Sequence, residues 1–265
     1  MDTVIRILAT VAGSSYHNPM STSISDYAAF KQACLTADLN TFKRHPDIVP
    51  IFEHTSKEQG EAYLQVIQER YPQLLPAMSR FAANDEIGGA DRCIDMKGSS
   101  VSPSTLRYVK VLGDLIYAGL ASGDAIVEIG GGYGGQAVIV RNKILWQSYT
   151  IFDLPEVRSL QERYLAEQDV SNVLWQQPAP GAVRENPWDF CISNYAFSEC
   201  NKQMQDWYLE HVILRSNAGY MTCNFISHLF GVESYSQEEL LARIPYSWLE
   251  AENPLTSPGN VVIRW

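Results

Sequence analysis

The run Glu128-Ile129-Gly130-Gly131-Gly132-Tyr133-Gly134-Gly135 follows a short apolar stretch, Ala125-Ile126-Val127. Glycines in that setting let the backbone turn sharply and approach a ligand with no Cβ in the way. A helix opening directly afterwards points its free N–H groups at the same place. Two cofactor classes fit the spacing. Glu128, Gly130, Gly132 and Gly134 make E-x-G-x-G-x-G, which suits S-adenosylmethionine, whereas Gly130, Gly132 and Gly135 make G-x-G-x-x-G, which suits the pyrophosphate of NAD(P). Glu128 tilts the reading toward the methyl donor, because a carboxylate near the turn attracts a cationic methionine portion and repels a pyrophosphate. A glycine-rich turn with no ligand is the bland alternative.

Asp153 ends the next apolar run, Tyr149 to Phe152, about 20 residues downstream, where a carboxylate can accept hydrogen bonds from a ribose diol. The same side chain can instead cap the helix opening at Pro155-Glu156. Gln176 and Gln177, after the following run, can meet an adenine edge or simply be solvated.

Methyl transfer from a sulfonium is an in-line displacement, so aligning the acceptor matters first. A hydroxyl acceptor gains further from a general base, whereas an oxyanion needs none. Asn194-Tyr195-Ala196-Phe197-Ser198-Glu199 is the leading acceptor-side segment. Glu199 can be the base if Tyr195 and Phe197 desolvate it, or it can be a first-turn carboxylate stabilised by a helix dipole. Tyr195 and Asn194 can hold acceptor or methionine; alternatively, Tyr195 only packs. His228, in Asn224-Phe225-Ile226-Ser227-His228, is a second base candidate with an ordinary pKa near neutrality, set against a solvated loop histidine. His17, His45, His54 and His211 have weaker claims. Arg107 can face an anionic acceptor, the donor's carboxylate or a surface partner. No paired aspartates follow the relevant strands, so no metal is expected.

These residues need a scaffold. Short apolar strands are expected at 125–129, 148–152, 173–176, 189–193, 219–225, 247–251 and 261–265, with helices at 134–143, 156–167, 202–212 and 236–243 between them. That alternation describes an α/β fold, a Rossmann-like seven-stranded sheet covered on both faces with its last strand antiparallel. Ser102-Pro103 opens a helix expected to reach Leu120, with Leu106, Val109, Leu112, Leu115 and Ile116 on one face. Residues 1–100 lack period-2 alternation and show helical patches at 27–35 and 58–71, which points to a helical cap or lid over a 101–265 cofactor domain.

The glycine run through Gln136, then Phe152-Asp153-Leu154-Pro155-Glu156-Val157 and Ser193-Asn194-Tyr195-Ala196-Phe197-Ser198-Glu199, resemble the sugar O-methyltransferases of bacterial surface-polysaccharide clusters. Ser102-Pro103-Ser104-Thr105-Leu106-Arg107-Tyr108 and Asn253-Pro254-Leu255-Thr256-Ser257-Pro258-Gly259-Asn260 agree with that likeness, which covers about residues 80–265. The resemblance implies a class I methyltransferase fold using S-adenosylmethionine, and along its motifs Tyr133, Gln136 and Leu154 join the cofactor-side residues. A sugar or sugar nucleotide is the implied acceptor. A phosphorylated or phosphoramidate capsule precursor, an NAD(P)-dependent oxidoreductase and a non-catalytic partner of a synthase are the competing readings.

Composition narrows the partners. A net charge of −10 opposes binding to a nucleic-acid polymer, and no apolar run reaches the roughly 18 residues of a membrane span. Asp2 and Arg6 flank a stretch unlike a secretory signal, so a cytoplasmic protein is expected, with a homodimer left open. Five scattered cysteines with no C-x-x-C pair suggest neither a disulfide framework nor a zinc site.

Overall fold

A computed structural model describes residues 28–96, 99–179 and 187–265. Asp2, Arg6, His17 and Tyr27 lie outside the described residues. A small antiparallel hairpin, β1 (Ile94–Met96) and β2 (Ser99–Val101), precedes the main sheet. The main sheet holds β3 (Ala125–Ile129), β4 (Ser148–Phe152), β5 (Val173–Gln176), β6 (Trp188–Asn194), β7 (Ser216–Cys223), β8 (Trp248–Ala251) and β9 (Val261–Arg264). Their order is β5-β4-β3-β6-β7-β9-β8, parallel except for β9, which runs antiparallel to both neighbours. The chain therefore has the seven-stranded α/β architecture with an antiparallel last strand that its hydrophobic pattern implies.

The helices longer than one turn are α1 (Ala28–Thr36), α2 (Lys57–Arg70), α3 (Pro103–Tyr117), α4 (Gly135–Arg141), α5 (Pro155–Glu167), α6 (Lys202–His211) and α7 (Gln237–Arg243). α3 to α5 cover one sheet face with the cap outside them, and α6 and α7 cover the other, giving two hydrophobic cores. Every residue of β3 is buried, as a central parallel strand between two helix layers requires.

α3 fixes the cap to the sheet. Ser102 Oγ accepts the Thr105 N–H at 3.1 Å and Pro103 takes the first helical position. Asp85 reinforces that start by accepting from the Ser102 N–H, the Ser102 hydroxyl and the Thr105 hydroxyl, each at 2.7 Å. The helix stops at Tyr117 rather than Leu120. Gly119 turns left-handed at φ 110°, and the N–H groups of Gly119 and Leu120 return to the Ile116 and Leu115 carbonyls. Burial also extends beyond the expected stripe, since Tyr108, Lys110, Val111 and Asp114 are buried too. The charged pair among them is tied in: Asp114 accepts from Lys110 at 2.6 Å, from the Tyr220 hydroxyl at 2.9 Å and from the Tyr71 hydroxyl. Cap, helix and β7 thus share one buried carboxylate.

Beyond shifts of one or two residues, the elements differ from expectation in three further places. The β1–β2 hairpin falls at the end of the expected helical cap and was not anticipated, because strands of three residues are too short to show alternation; Ile94 and Val101 pair and are both buried. β7 spans 216–223 rather than 219–225, since Ser216 already pairs with Trp188 and Phe225 leaves extended geometry at φ 50°. The segment after β6 is not a plain loop but winds one helical turn, Ala196–Glu199. Among the described residues no helix is long and apolar enough to cross a membrane, and no group of three His, Cys, Asp or Glu side chains is placed to hold a metal. All five cysteines are free.

Candidate functional site

The chain winds from β3 outward to β5, then crosses back to β6 on the other side of β3. The carboxyl ends of β3 and β6 therefore flank a topological switch point, where open α/β sheets hold their ligands. The glycine turn leaves β3 there. Gly130, Gly132 and Gly134 have φ of 74°, 55° and 98°, and the Gly130 N–H reaches the Phe152 carbonyl at 2.8 Å. Gly130 also lies against the turn after β6, since a Cβ built on it would sit 2.1 Å from Ala196 Cβ.

Three carboxyl groups stand on β3 and on the segments that follow β4 and β6, and each is pushed up by burial. Asp153, half-buried at the end of β4, accepts the Leu154 N–H and the Gln161 side chain, both at 2.8 Å, with Gly131 and Gly132 N–H groups facing it. Its pKa is nevertheless raised to about 7. Leu154, not Asp153, occupies the N-cap of α5, so capping is not what this carboxylate does. Glu199 is raised to about 7 by desolvation, and its Oε1 accepts from Asn224 at 2.9 Å. Glu128 is 1 % exposed, accepts the Tyr149 hydroxyl at 2.7 Å and is raised to about 8. Glu128 is therefore a buried carboxyl bonded to the neighbouring strand, its neutral form favoured by desolvation, rather than a free charge beside the turn.

That burial has a pH signature. A carboxyl whose folded pKa exceeds its unfolded value holds a proton the unfolded chain has released, so it lowers stability as pH rises from about 4.5 to about 8. Glu128→Gln is expected to melt near the wild-type temperature at pH 5 and at least about 2 °C above it at pH 8. Thermal denaturation at both pH values checks this, and a gap that shrinks with rising pH contradicts it.

Among the described residues, buried side-chain oxygens without a partner are Glu53 Oε1, Gln136 Oε1, Glu156 Oε2 and Gln176 Oε1. All four belong to segments around the crevice. Gln136 stands on the first turn after the glycines, Glu156 follows Asp153, and Gln176 ends β5 beside Phe152. Glu53 follows Phe52, whose ring lies 3.6 Å from where a Gly132 Cβ would be. Buried acceptors left open ask for donors from a ligand. Gln161 ties the floor together by donating to the Gly132 carbonyl at 2.7 Å and accepting from Trp175 at 3.0 Å.

Other expected residues are placed as follows. Asn194 ends β6 and its side chain accepts from Thr222 at 3.3 Å. Tyr195 is held at φ 68°, and its hydroxyl donates to Glu252, which also accepts from Thr256 and Asn260. Tyr133 is fully buried against Phe42, Phe52, Tyr108 and Tyr164, with Lys43 4.6 Å from its ring centroid. Within the glycine run it anchors the turn to the cap. Gln177 and His228 are exposed. His211 stacks on Trp207 on the far face, and His45 lies beside Asp47 in the cap. His54 hydrogen-bonds the Ile51 carbonyl within its own turn.

Glu53, Gln161 and Glu252 were not singled out by sequence. The signal available for Glu252 was its place directly before the Asn253 to Asn260 segment; Glu53 and Gln161 had none, because folding alone brings them to the crevice.

No family model matches the chain, and no curated protein matches it. Solved structures of similar shape include one chain of the complex between the Haloferax volcanii Trm112 methyltransferase activator and a methyltransferase (13 % identity, 59 % of this chain and 87 % of that one, TM-score 0.47). An S-adenosylmethionine-dependent methyltransferase from Clostridium acetobutylicum is 9 % identical over 58 % of this chain and 87 % of its own, at TM-score 0.46. Precorrin-6y C5,15-methyltransferase from Geobacter metallireducens is 13 % identical over 64 % and 91 %, at TM-score 0.41. With every TM-score below 0.5, nothing about this chain's chemistry follows from them.

Proposed function

We propose that the chain is an S-adenosylmethionine-dependent O-methyltransferase acting on a small polar acceptor, a sugar or sugar nucleotide, with residues 101–265 binding the cofactor under a cap formed by the first hundred. One observation carries the choice of cofactor: the open buried groups around the glycine turn are acceptors. Besides the ribose hydroxyls and adenine amine that it shares with a dinucleotide, S-adenosylmethionine brings an ammonium and a positive sulfonium, whereas a pyrophosphate brings only further acceptor oxygens to the open acceptors of Gln136 and Gln176. The ammonium is the donor that a dinucleotide lacks, and it is what supports the methyl donor here.

In this reading Asp153 takes the ribose hydroxyls, Gln176 accepts from the adenine amine, and Gly130 to Gly134 let the backbone lie against the ligand. The cofactor supplies an electrophilic methyl group. Asn194 and Tyr195 position the acceptor from the end of β6, and Glu199, with its raised pKa, removes the hydroxyl proton. Tyr195 is held in place by Glu252 and Thr256, so the 252–260 segment shapes the acceptor end.

Calorimetry separates the cofactor classes. S-adenosylhomocysteine is expected to bind with a micromolar dissociation constant and NAD(P) not measurably; the opposite outcome overturns the proposal. Incubation with labelled methyl donor and a panel of sugars and sugar nucleotides, followed by mass spectrometry, then tests the acceptor class.

A further inference from the structure

The main sheet ends in β5 on one side and β8 on the other, and β8 is the more open edge. β5 buries Val173 and has the Arg158 guanidinium 5.6 Å from its Trp175 ring, so Leu174 is its single exposed large apolar side chain. β8 pairs with β9, and no described strand meets its outer side. Alternate residues of such a strand point their N–H and C=O groups outward. Trp248 and Leu249 are 48 % and 38 % exposed on it, and Tyr246, in the turn before it, is 95 % exposed. Tyr117, at the end of α3, is 73 % exposed, its ring centroid 5.9 Å from the guanidinium of Arg264, the residue that pairs with Trp248 across the sheet.

Proteins blunt an exposed edge with lysine, proline, a bulge or an unpaired charge. β8 carries none of these. Its one charged side chain, Glu250, is neutralised by Arg264 at 3.1 Å and accepts the Trp248 indole N–H at 3.0 Å. The exposed parts of Tyr117, Tyr246, Trp248 and Leu249 amount to roughly 500 Å² on the area scale of such side chains. Two copies meeting through them would remove roughly 1,000 Å² from water, the size at which a specific interface begins.

We propose that β8 pairs antiparallel with β8 of a second copy of this chain, joining two seven-stranded sheets across a twofold axis. The residues choose the register. A twofold perpendicular to the sheet keeps each side chain on its own face, so the axis must pass between two copies of one residue. Centred on Glu250 or Ala251, it would oppose carboxylates directly, Glu250 against Glu250 or against Glu252, which is unfavourable. Centred on Trp248, it would draw Tyr246 into the ladder, and at φ 60° Tyr246 is not extended. Centred on Leu249, it sets Leu249 against Leu249 and each Trp248 against the second copy's Glu250. The Trp248 indole N–H then has a carboxylate on the facing strand as well as on its own. β7 and β9 separate β8 from β6, so the proposal stands independently of what the crevice binds.

Analytical ultracentrifugation of the wild type from about 2 to about 200 µM is expected to show monomer and dimer in equilibrium, with a micromolar dissociation constant. Leu249→Lys should weaken the dimer at least about tenfold, because it opposes like charges on the axis, while melting within about 2 °C of wild type. Under a mild oxidant Leu249→Cys should link to its own copy, since opposed Cα atoms about 5 Å apart suit a disulfide. Ala251→Cys should not, because its copy lies four residues out of register, about 14 Å away. The wild type, whose five cysteines are free, is the control for both. A wild type that stays monomeric, as an edge meant for a different protein would leave it, overturns the proposal. A dimer indifferent to Leu249→Lys overturns it too, as does equal linking through both cysteine variants.

Discussion

Valine at position 130 is expected to reduce affinity for S-adenosylhomocysteine at least about a hundredfold and to lower the melting temperature by several degrees. Two costs add. At φ 74° a β-branched residue is strained by about 1–2 kcal/mol, and its Cβ is placed 2.1 Å from Ala196 Cβ. Ala196 has little room to retreat. Its turn is pinned on both sides by the Tyr195 N–H to the Thr222 carbonyl at 2.8 Å, the Phe197 N–H to Ser193 Oγ at 3.2 Å and the Ser198 hydroxyl to the Tyr195 carbonyl at 2.8 Å. Relief must come from separating the β3 and β6 ends, which widens the crevice those ends define. Gly132→Ala is the companion variant. Its φ of 55° carries conformational strain, but its Cβ would meet only the Phe52 ring at an ordinary 3.6 Å. A milder loss there isolates strain from collision. Wild-type affinity in Gly130→Val would mean that the ligand does not sit at the switch point.

The contrast between these two glycines also shows how far sequence reasoning reached. Strand ends at 125–129, 148–152 and 173–176 were readable because each is a compact apolar run closed by a turn residue, and the Ser102-Pro103 helix start was readable because capping is local chemistry. Contacts between distant segments left no such trace. Nothing around Gly130 announces that Ala196, far along the chain, needs its missing side chain. Tyr133 joined the cofactor-side residues through the likeness of its motif, and its ring packs with Phe42, Phe52, Tyr108 and Tyr164, from four separate elements, contacts that no local pattern announces. Glu128 carried the choice of cofactor at the level of sequence; in the fold it is bonded to Tyr149, and the orphaned oxygens of Glu53, Gln136, Glu156 and Gln176 take over that argument. A burial-dependent property cannot be read before the burying partners are known, and this holds for the raised pKa of Glu199 as well.

Glutamine at position 199 is expected to lower kcat about 10²–10⁴-fold with a hydroxyl acceptor, and to remove a pH limb. The sign follows from the direction of the shift. Desolvation raises the carboxyl to about 7, so below that pH the group is protonated and cannot take a proton; kcat should rise through about 7 and then level off. Asn224 donates to Glu199 at 2.9 Å and favours its charged form. Asn224→Ala should therefore move the limb to higher pH while leaving most of the plateau rate, a displacement that a purely structural role for Glu199 would not produce. His228→Ala supplies the opposing test: this side chain is exposed, and its loss should change kcat by less than about twofold if Glu199 is the base. A large loss in His228→Ala with an unaltered limb in Glu199→Gln would transfer the role to the histidine. Full activity in both variants would mean that the acceptor arrives already as an oxyanion, in which case alignment at Asn194 and Tyr195 accounts for the rate.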